Sequence, residues 1–254
     1  MHDFHTALRS WRRTRRLSQL KLANEAEISP RHLAFLETGR ARPSRGMVLR
    51  LAGVLLLPRG EQNGFLAAAG FAPQFPVLPL DAEEMVQVRQ AMGWTINRHA
   101  PYPALILDRL WSIVAQNGPA KALFGPAGIG EGSSLLAALA DPAVFSGLIE
   151  NWVEVGHHTL LRLKAESARA GGIAELDQAV ASLATQPEIA GFQPKTANRA
   201  VLPTIYRMGD RRLSLFSTYA QFGAAEEVAL SDMKIELMFP ADAEAAAFLT
   251  GLAA

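Results

Sequence analysis

The stretch 17–43 constrains the fold more than any other part of the chain, because its pattern predicts two short helices joined by a tight turn. Ser18 is a good cap for the first helix, since its hydroxyl can accept a hydrogen bond from a free amide of the first turn. Ser29 caps the second helix, and Pro30 occupies its first position, where a missing N–H costs nothing. Gly39 supplies the left-handed residue with which many helices end.

The remaining residues of this stretch divide into an inward and an outward set. The inward positions are held by Leu22, Ala23, Ile28, Leu33 and Leu36. The outward face of the second helix carries Pro30, Arg31, His32, Ala34 and Phe35. A DNA major groove admits an α-helix and would contact such a face.

This spacing resembles the phage-repressor-like helix-turn-helix of the XRE family. The match rests on Ser18-Gln19, Leu22-Ala23, Ile28-Ser29, Leu33, Leu36, Glu37 and Gly39. One departure is Glu27, where the family usually has glycine in the inter-helix turn. A non-glycine left-handed residue costs about 1 kcal/mol, so we expect some strain there. The resemblance implies an all-α, five-helix, lambda-repressor-like DNA-binding domain, which we place at residues 1–70.

The candidate DNA contacts follow from the chemistry of the exposed side chains. Gln19 can donate to a phosphate beside the amides of its helix terminus. Arg31 and His32 are the best base readers, since arginine can bind guanine bidentately. Phe35 either packs on a thymine methyl group or folds back on its own helix. The full set is Ser18, Gln19, Ser29, Arg31, His32, Phe35 and the phosphate anchors Arg40, Arg42 and Arg45.

Charge is distributed unevenly along the chain. Residues 1–75 carry 12 Lys/Arg against 5 Asp/Glu, whereas residues 76–254 carry 13 against 19. Charge alone fits a solvated basic surface equally well. Together with the helix-turn-helix spacing it favours a nucleic-acid-binding end attached to an acidic body.

The rest of the first domain follows the same pattern. A first helix is predicted over 4–16, a fourth over 44–55, and a fifth opens at Pro58. In the family, an arginine at the place of Arg12 pairs with a glutamate at the place of Glu37, so the resemblance implies that structural ion pair. The alternative is that Arg12 touches a phosphate. Residues 71–81 contain several prolines and are predicted to be a linker.

The second half, 82–254, has a mixed pattern that indicates an α+β fold with an antiparallel sheet and helices on one face. Asp81 is expected to cap a helix ending at Arg98, whose apolar side forms either a dimer seam or a core contact. Strands are predicted at 104–107, 110–115, 201–208, 212–219 and 233–239, a loop at 125–132, and helices at 120–124, 145–170, 173–184 and after Asp242.

Several blocks of this half resemble the MmyB-type ligand-binding domain over about residues 82–250. They are YPALILDRLWSIVAQNGPAKALFG, IENW, LSLFSTYAQFG and MKIELMFPAD. The resemblance implies a PAS-like domain that encloses an apolar cavity, and its usual N-terminal partner is an XRE domain. Members of the family are transcription regulators, and a fatty-acid-like molecule is the ligand that the resemblance implies.

Five residues of this half are candidates for the cavity lining and equally for plain core: Trp111, Trp152, Tyr206, Phe216 and Leu237. The candidate partners for a ligand carboxylate are Arg207 and Tyr219.

Little in the sequence indicates catalysis. The chain has no cysteine, which excludes disulfides and thiolate metal sites. His157 and His158 are adjacent, so on a helix they point roughly 100° apart. The acidic pairs Glu83-Glu84 and Glu226-Glu227 indicate solvated helix starts. We therefore expect no enzyme activity, cofactor or metal.

The expected location is the cytoplasm, without a membrane partner. No apolar run approaches the ~18 residues of a membrane span, and the N-terminus lacks a signal-peptide pattern.

The leading hypothesis is a homodimeric transcription regulator that binds a palindromic operator through its first domain. Its second domain, 82–254, is expected to sense a small apolar ligand and to mediate dimerisation. One alternative is a constitutive dimeric repressor without a ligand. The other is an enzyme domain fused to a helix-turn-helix, in which His157 or His158 would carry activity.

Overall fold

The computed structural model describes residues 3–194, 200–222 and 228–252, so the predicted pair Glu226-Glu227 lies outside it. The chain divides into two compact units. The first is Met1–Val77 with Glu166–Ile173, and the second is Leu78–Ala165 with Ala174–Ala254. No helix in the described ranges is both long and apolar enough to cross a membrane.

Residues 3–77 of the first unit contain five helices, as the sequence predicts. They are α1 (Phe4–Thr14), α2 (Gln19–Glu25), α3 (Pro30–Glu37), α4 (Arg45–Val54) and α5 (Arg59–Ala68). Ser18, Ser29 and Ser44 cap α2, α3 and α4, each accepting a hydrogen bond from an amide three residues on, at 3.1–3.2 Å. Leucines at 8, 22, 33, 36 and 51 are fully buried at the centre of this unit.

Three backbone positions in this unit, Arg16, Glu27 and Leu56, are left-handed without being glycine. Glu27 has φ 54°, so the turn between α2 and α3 takes the conformation that glycine usually provides in the family. Arg16 also has φ 54°. A left-handed residue cannot continue a right-handed helix, which is why α1 stops at Thr14 and not at Arg16 as predicted.

The second unit is built on a five-stranded antiparallel sheet in the order β2-β1-β5-β4-β3. The strands are β1 (Ala104–Leu107), β2 (Ile113–Gln116), β3 (Thr204–Met208), β4 (Arg211–Ala220) and β5 (Lys234–Pro240). The predicted hairpin across Gly209 is present as β3 and β4. β2 begins later than predicted because Asp108 accepts hydrogen bonds from the amides of Leu110 and Ser112 and holds a turn there.

Helices cover both faces of the sheet, which corrects the prediction of one covered face. Met92 and Ile96 pack on Ala104, Ile106 and Ile235 on one side. The helices are α6 (Val86–Arg98), α7 (Gly118–Phe124), α8 (Leu135–Ala140), α9 (Pro142–Leu148), α10 (Trp152–Arg169), α11 (Ala174–Ala184), α12 (Pro187–Ala190), α13 (Val228–Ser231) and α14 (Ala243–Leu252). The helices α8, α12 and α13 were not predicted.

The single helix predicted over 145–170 is in fact two helices, α9 and α10. Ile149 forms an isolated antiparallel bridge with Tyr206. Asn151 donates to Pro203 O and accepts from the Ile205 amide, both at 2.9 Å. These contacts at the edge strand β3 hold residues 149–151 in a non-helical conformation between α9 and α10.

The helix predicted to start at Asp81 also starts differently. A short 3-10 turn over Glu83–Met85 precedes α6, and its N-cap, Ala82, makes no side-chain hydrogen bond. Asp81 is therefore not the cap. The apolar side of α6 predicted as a candidate dimer seam, with Met85, Val88, Met92 and Ile96, packs instead in the core of the second unit. This side of the helix is therefore not available to a partner chain.

Candidate nucleic-acid interface and apolar cavity

The exposed face of α3 presents the predicted base-reading residues. Arg31 is exposed, whereas His32 and Phe35 are half-buried. The Arg31 guanidinium carbon lies 5.4 Å from the centroid of the Phe35 ring, so Phe35 packs against a neighbour on its own helix. Arg31 is thus held on the outer face of α3 with its cationic head exposed.

The predicted phosphate contacts surround this helix. Arg40, Arg42 and Arg45 are all exposed. The hydroxyl groups of Ser18 and Ser29 are engaged in capping their helices, so their direct role is to fix the helix termini. Gln19 donates one amide hydrogen to Glu37 at 2.7 Å, which leaves the second N–H of the same group for another acceptor.

Glu37 is the buried centre of the first unit's polar network. It is 1% exposed. The predicted ion pair is present: Arg12 Nε lies 2.5 Å from Oε1 of Glu37, and Nη2 lies 3.0 Å from Oε2. Burial by itself would raise the pKa of Glu37, but hydrogen bonds from Arg12 and Gln19 outweigh it and hold the pKa below its usual value. The hydrogen bond to Glu37 also raises the pKa of Arg12.

The second unit contains a cavity of about 360 Å³ between the sheet and helices α8 to α10. This volume is at the lower end of the ≈300–1,000 Å³ range of small-molecule sites. Most of its wall is apolar or aromatic. That part consists of Leu105, Trp111, Phe124, Leu135, Leu139, Phe145, Ile149, Trp152, Val155, Ala200, Val201, Leu202, Tyr206, Phe216, Tyr219 and Met238.

One side of the cavity is charged. The Arg162 guanidinium carbon lies 3.5 Å from the ring centroid of Tyr219 and 4.7 Å from that of Trp111. Tyr219 donates to Glu236 Oε1 at 2.8 Å. The guanidinium of Arg162 thus lies beside both rings and lines the cavity, as does the carboxylate of Glu236.

Lys234 lies beside this group, with Nζ 5.2 Å from the ring centroid of Trp111. Burial, together with the positive charge of Arg162, lowers the pKa of Lys234 to about 8, although Asp108 and Glu236 act in the opposite direction. Burial, together with the charge of Glu236, also raises the pKa of Tyr219 and of Tyr206. Both tyrosines are therefore neutral hydrogen-bonding groups at physiological pH.

The cavity also has unpaired donors in its wall. The indole N–H groups of Trp111 and Trp152 are buried and have no acceptor among the described residues. An unsatisfied buried donor costs about 1–3 kcal/mol.

The structure brings five of the seven predicted ligand residues together, namely Trp111, Trp152, Tyr206, Phe216 and Tyr219. Leu237 is on the opposite face of β5 and packs in the core beneath α6. Arg207 donates to backbone oxygens of Ser146, Gly147 and Ile149, outside the cavity. These two placements correct the sequence-based set.

Sequence reasoning missed Arg162. It shares a helical face with Val155 and Thr159, both of which line the cavity, since residues three and four apart are neighbours on a helix. In the sequence, the position of Arg162 on the mostly apolar face of the predicted helix 145–170 was the pattern that could have indicated it.

The two histidines considered for catalysis do not form a metal site. His157 Nδ1 is 2.8 Å from Ile189 O, and His158 lines the cavity. Across the described ranges, no group of three or more His, Cys, Asp or Glu residues could hold a metal ion.

Comparison with known protein families agrees with the geometry of both units. Residues 5–63 match the helix-turn-helix domain, and residues 88–252 match the MmyB-like transcription regulator ligand binding domain. No curated protein matches the chain. The second match alone covers more than half of the sequence. The chain therefore belongs to the MmyB-like transcription regulators, DNA-binding proteins with an N-terminal helix-turn-helix and a C-terminal ligand-binding domain.

Proposed function

We propose that the protein is an XRE-type regulator that binds a palindromic operator as a homodimer and senses a fatty-acid-like molecule in the cavity of its second unit. The observation that carries the ligand part is the cavity itself, whose mostly apolar wall also holds the guanidinium of Arg162, while its carboxylate, Glu236, accepts a hydrogen bond from Tyr219. Such a site suits a ligand with an apolar tail and an anionic head. The ligand would act by binding one conformational state of the dimer better than another.

The DNA part rests on the exposed cationic face around α3. Arg31 projects from the first turn of α3, and the arginines at 40, 42 and 45 follow the end of this helix. A symmetric dimer would place two such helices in successive major grooves, about one helical turn apart.

Replacing Arg31 by alanine should relax operator preference at one base position and leave binding to unrelated DNA nearly unchanged. A bidentate arginine–guanine contact supplies roughly 1–3 kcal/mol of discrimination. The ratio of the affinity for the preferred base to that for the other bases at this position should therefore fall by about 5- to 150-fold. The measurement is binding-site selection followed by titration of single-base operator variants.

Arg42→Ala is the matched control. Because Arg42 is assigned as a phosphate contact, its replacement should weaken binding to all DNA sequences alike. It should also reduce the slope of log K against log salt concentration by about one. If Arg31→Ala behaved in the same way, Arg31 would be a phosphate contact and not a base reader.

Replacing Arg162 by methionine should weaken binding of decanoate about 10- to 100-fold, because a hydrogen bond to a charged group contributes about 1.5–3 kcal/mol. Methionine keeps an apolar stem beside Trp111 and Tyr219 and removes the guanidinium, with its charge and its N–H donors. Binding of decanol, which has the same tail and no charge, should change much less. Isothermal titration of both ligands with both proteins measures the difference.

Arg207→Met is the control, because it removes an arginine that lies outside the cavity. The affinity of this variant for decanoate should equal that of the wild type. Operator titration with and without decanoate then tests the regulatory step. The constitutive alternative would be favoured if the wild-type protein bound neither ligand and native mass spectrometry showed no co-purified lipid.

A further inference from the structure

We infer that the outer face of α6 is the homodimer interface, with two copies of the helix packed antiparallel about a twofold axis. The inference rests on the homodimer of the proposed function and specifies its surface. The inner face of α6 is buried against the sheet, with Met92 and Ile96 each 4% exposed. Any partner of this helix must therefore use the opposite side.

The outer side exposes the largest apolar side chain of the helix. Trp94 is 64% exposed, and Val86 is 37% exposed. Tryptophan is enriched among the residues that dominate binding energy at protein interfaces. Val86, Gln90 and Trp94 recur at intervals of four residues, which places them in one stripe on the surface of α6.

This stripe is complementary to itself. With a rise of 1.5 Å per residue, Val86 and Trp94 lie about 6 Å on either side of Gln90. A twofold axis at Gln90, with the helices antiparallel, brings Trp94 of one copy over Val86 of the other. The same contact then occurs twice, as an isologous interface requires.

The charges at the two ends of the helix support the antiparallel arrangement. Glu83 and Glu84 precede α6, and Arg98 ends it, all of them exposed. Glu83 lies seven residues before Gln90 and Arg98 eight residues after it, so an antiparallel pair places Glu83 of each copy near Arg98 of the other. A parallel pair would instead place like charges together.

Trp94→Lys in the full chain tests the interface. We expect dimer dissociation to become easier by at least about 30-fold, the effect of losing one dominant interface residue. Sedimentation equilibrium measures it, and circular dichroism checks that the fold is retained. Leu161→Lys, the same kind of change at a residue of α10 that is 51% exposed, is the control and should leave dimerisation unchanged.

Charge exchange tests the direction of the helices. Glu83→Arg and Arg98→Glu should each weaken the dimer, by about two- to tenfold for a pair of exposed contacts. The double variant, and an equal mixture of the two single variants, should restore it, because both recreate opposite charges across an antiparallel pair. Failure of restoration would overturn the antiparallel arrangement.

The outcomes for the two proposals are distinguishable. A dimer that Trp94→Lys leaves intact would overturn this interface and keep the homodimer of the proposed function. A wild-type protein that is monomeric at all concentrations, with or without operator DNA, would overturn both.

Discussion

Replacing Asn117 by alanine should lower the free energy of unfolding of the second unit by about 4 kcal/mol. Asn117 is 2% exposed. Its Oδ1 accepts from the amides of Ala104 and Ala120 at 3.0 Å, and its Nδ2 donates to Ile96 O at 2.9 Å and Tyr102 O at 2.8 Å. Alanine would remove all four hydrogen bonds and leave two amides and two carbonyl oxygens without this partner. Each unsatisfied buried group costs about 1–3 kcal/mol.

The effect is large because one side chain connects three elements. Ala104 begins β1, Ile96 belongs to α6, and Ala120 is in the first turn of α7, which Asn117 caps. Loss of the cap alone accounts for about 1 kcal/mol. Urea unfolding of the full chain, followed by hydrogen exchange in the second unit, measures the change.

Asn151→Ala is a matched control for Asn117. Asn151 makes two hydrogen bonds at the start of β3, with Pro203 O and the Ile205 amide, and is half-buried, so its loss should cost about 1–2 kcal/mol. Equal costs at the two positions would contradict the role assigned to Asn117.

Replacing Glu37 by alanine should destabilise the first unit by about 3–5 kcal/mol, the cost of leaving one partner of a buried ion pair unpaired. The Glu37 side chain is 2% exposed and that of Arg12 is 13% exposed. Gln19 also loses its acceptor, so its side chain should become disordered. Hydrogen exchange in helices α1 to α5 reports this loss separately from the second unit.

The contribution of Glu37 should depend on pH in a defined direction. Its pKa in the folded protein is lowered, so the stabilisation is complete above the ordinary pKa of a glutamate and disappears as the pH falls through the folded value. The stability difference between wild type and Glu37→Ala should therefore narrow on acidification below about pH 4.

Glu25→Ala serves as the control for a lost carboxylate. Glu25 lies 3.8 Å from Lys21 on the surface of α2 and its side chain is 44% exposed, so the pair should contribute less than about 0.5 kcal/mol. A cost at Glu37 no greater than at Glu25 would show that the buried pair is energetically unimportant.

The helix-turn-helix unit was predictable because its determinants are local. Each capping serine lies three residues before the amide that it accepts from, and Pro30 and Gly39 act within their own turns. The Arg12–Glu37 pair spans 25 residues, and it was predicted only because the resemblance supplied it. The sequence also determined the β3–β4 hairpin, whose turn residues adjoin the strands that they connect.

The second unit depended on contacts between distant segments. Alternation along β5 separates Leu237 from Met238, but only the assembled sheet shows that Met238 faces the cavity and Leu237 the core under α6. The break between α9 and α10 is similarly imposed by β3, more than 50 residues away. Arg162 lines the cavity although it was not predicted there, and Arg207 lies outside the cavity although it was predicted to line it. Both differences arise because the packing of one element on another decides which side chains face the cavity. Periodicity specifies the faces of an element, whereas the partner of each face is set by tertiary packing.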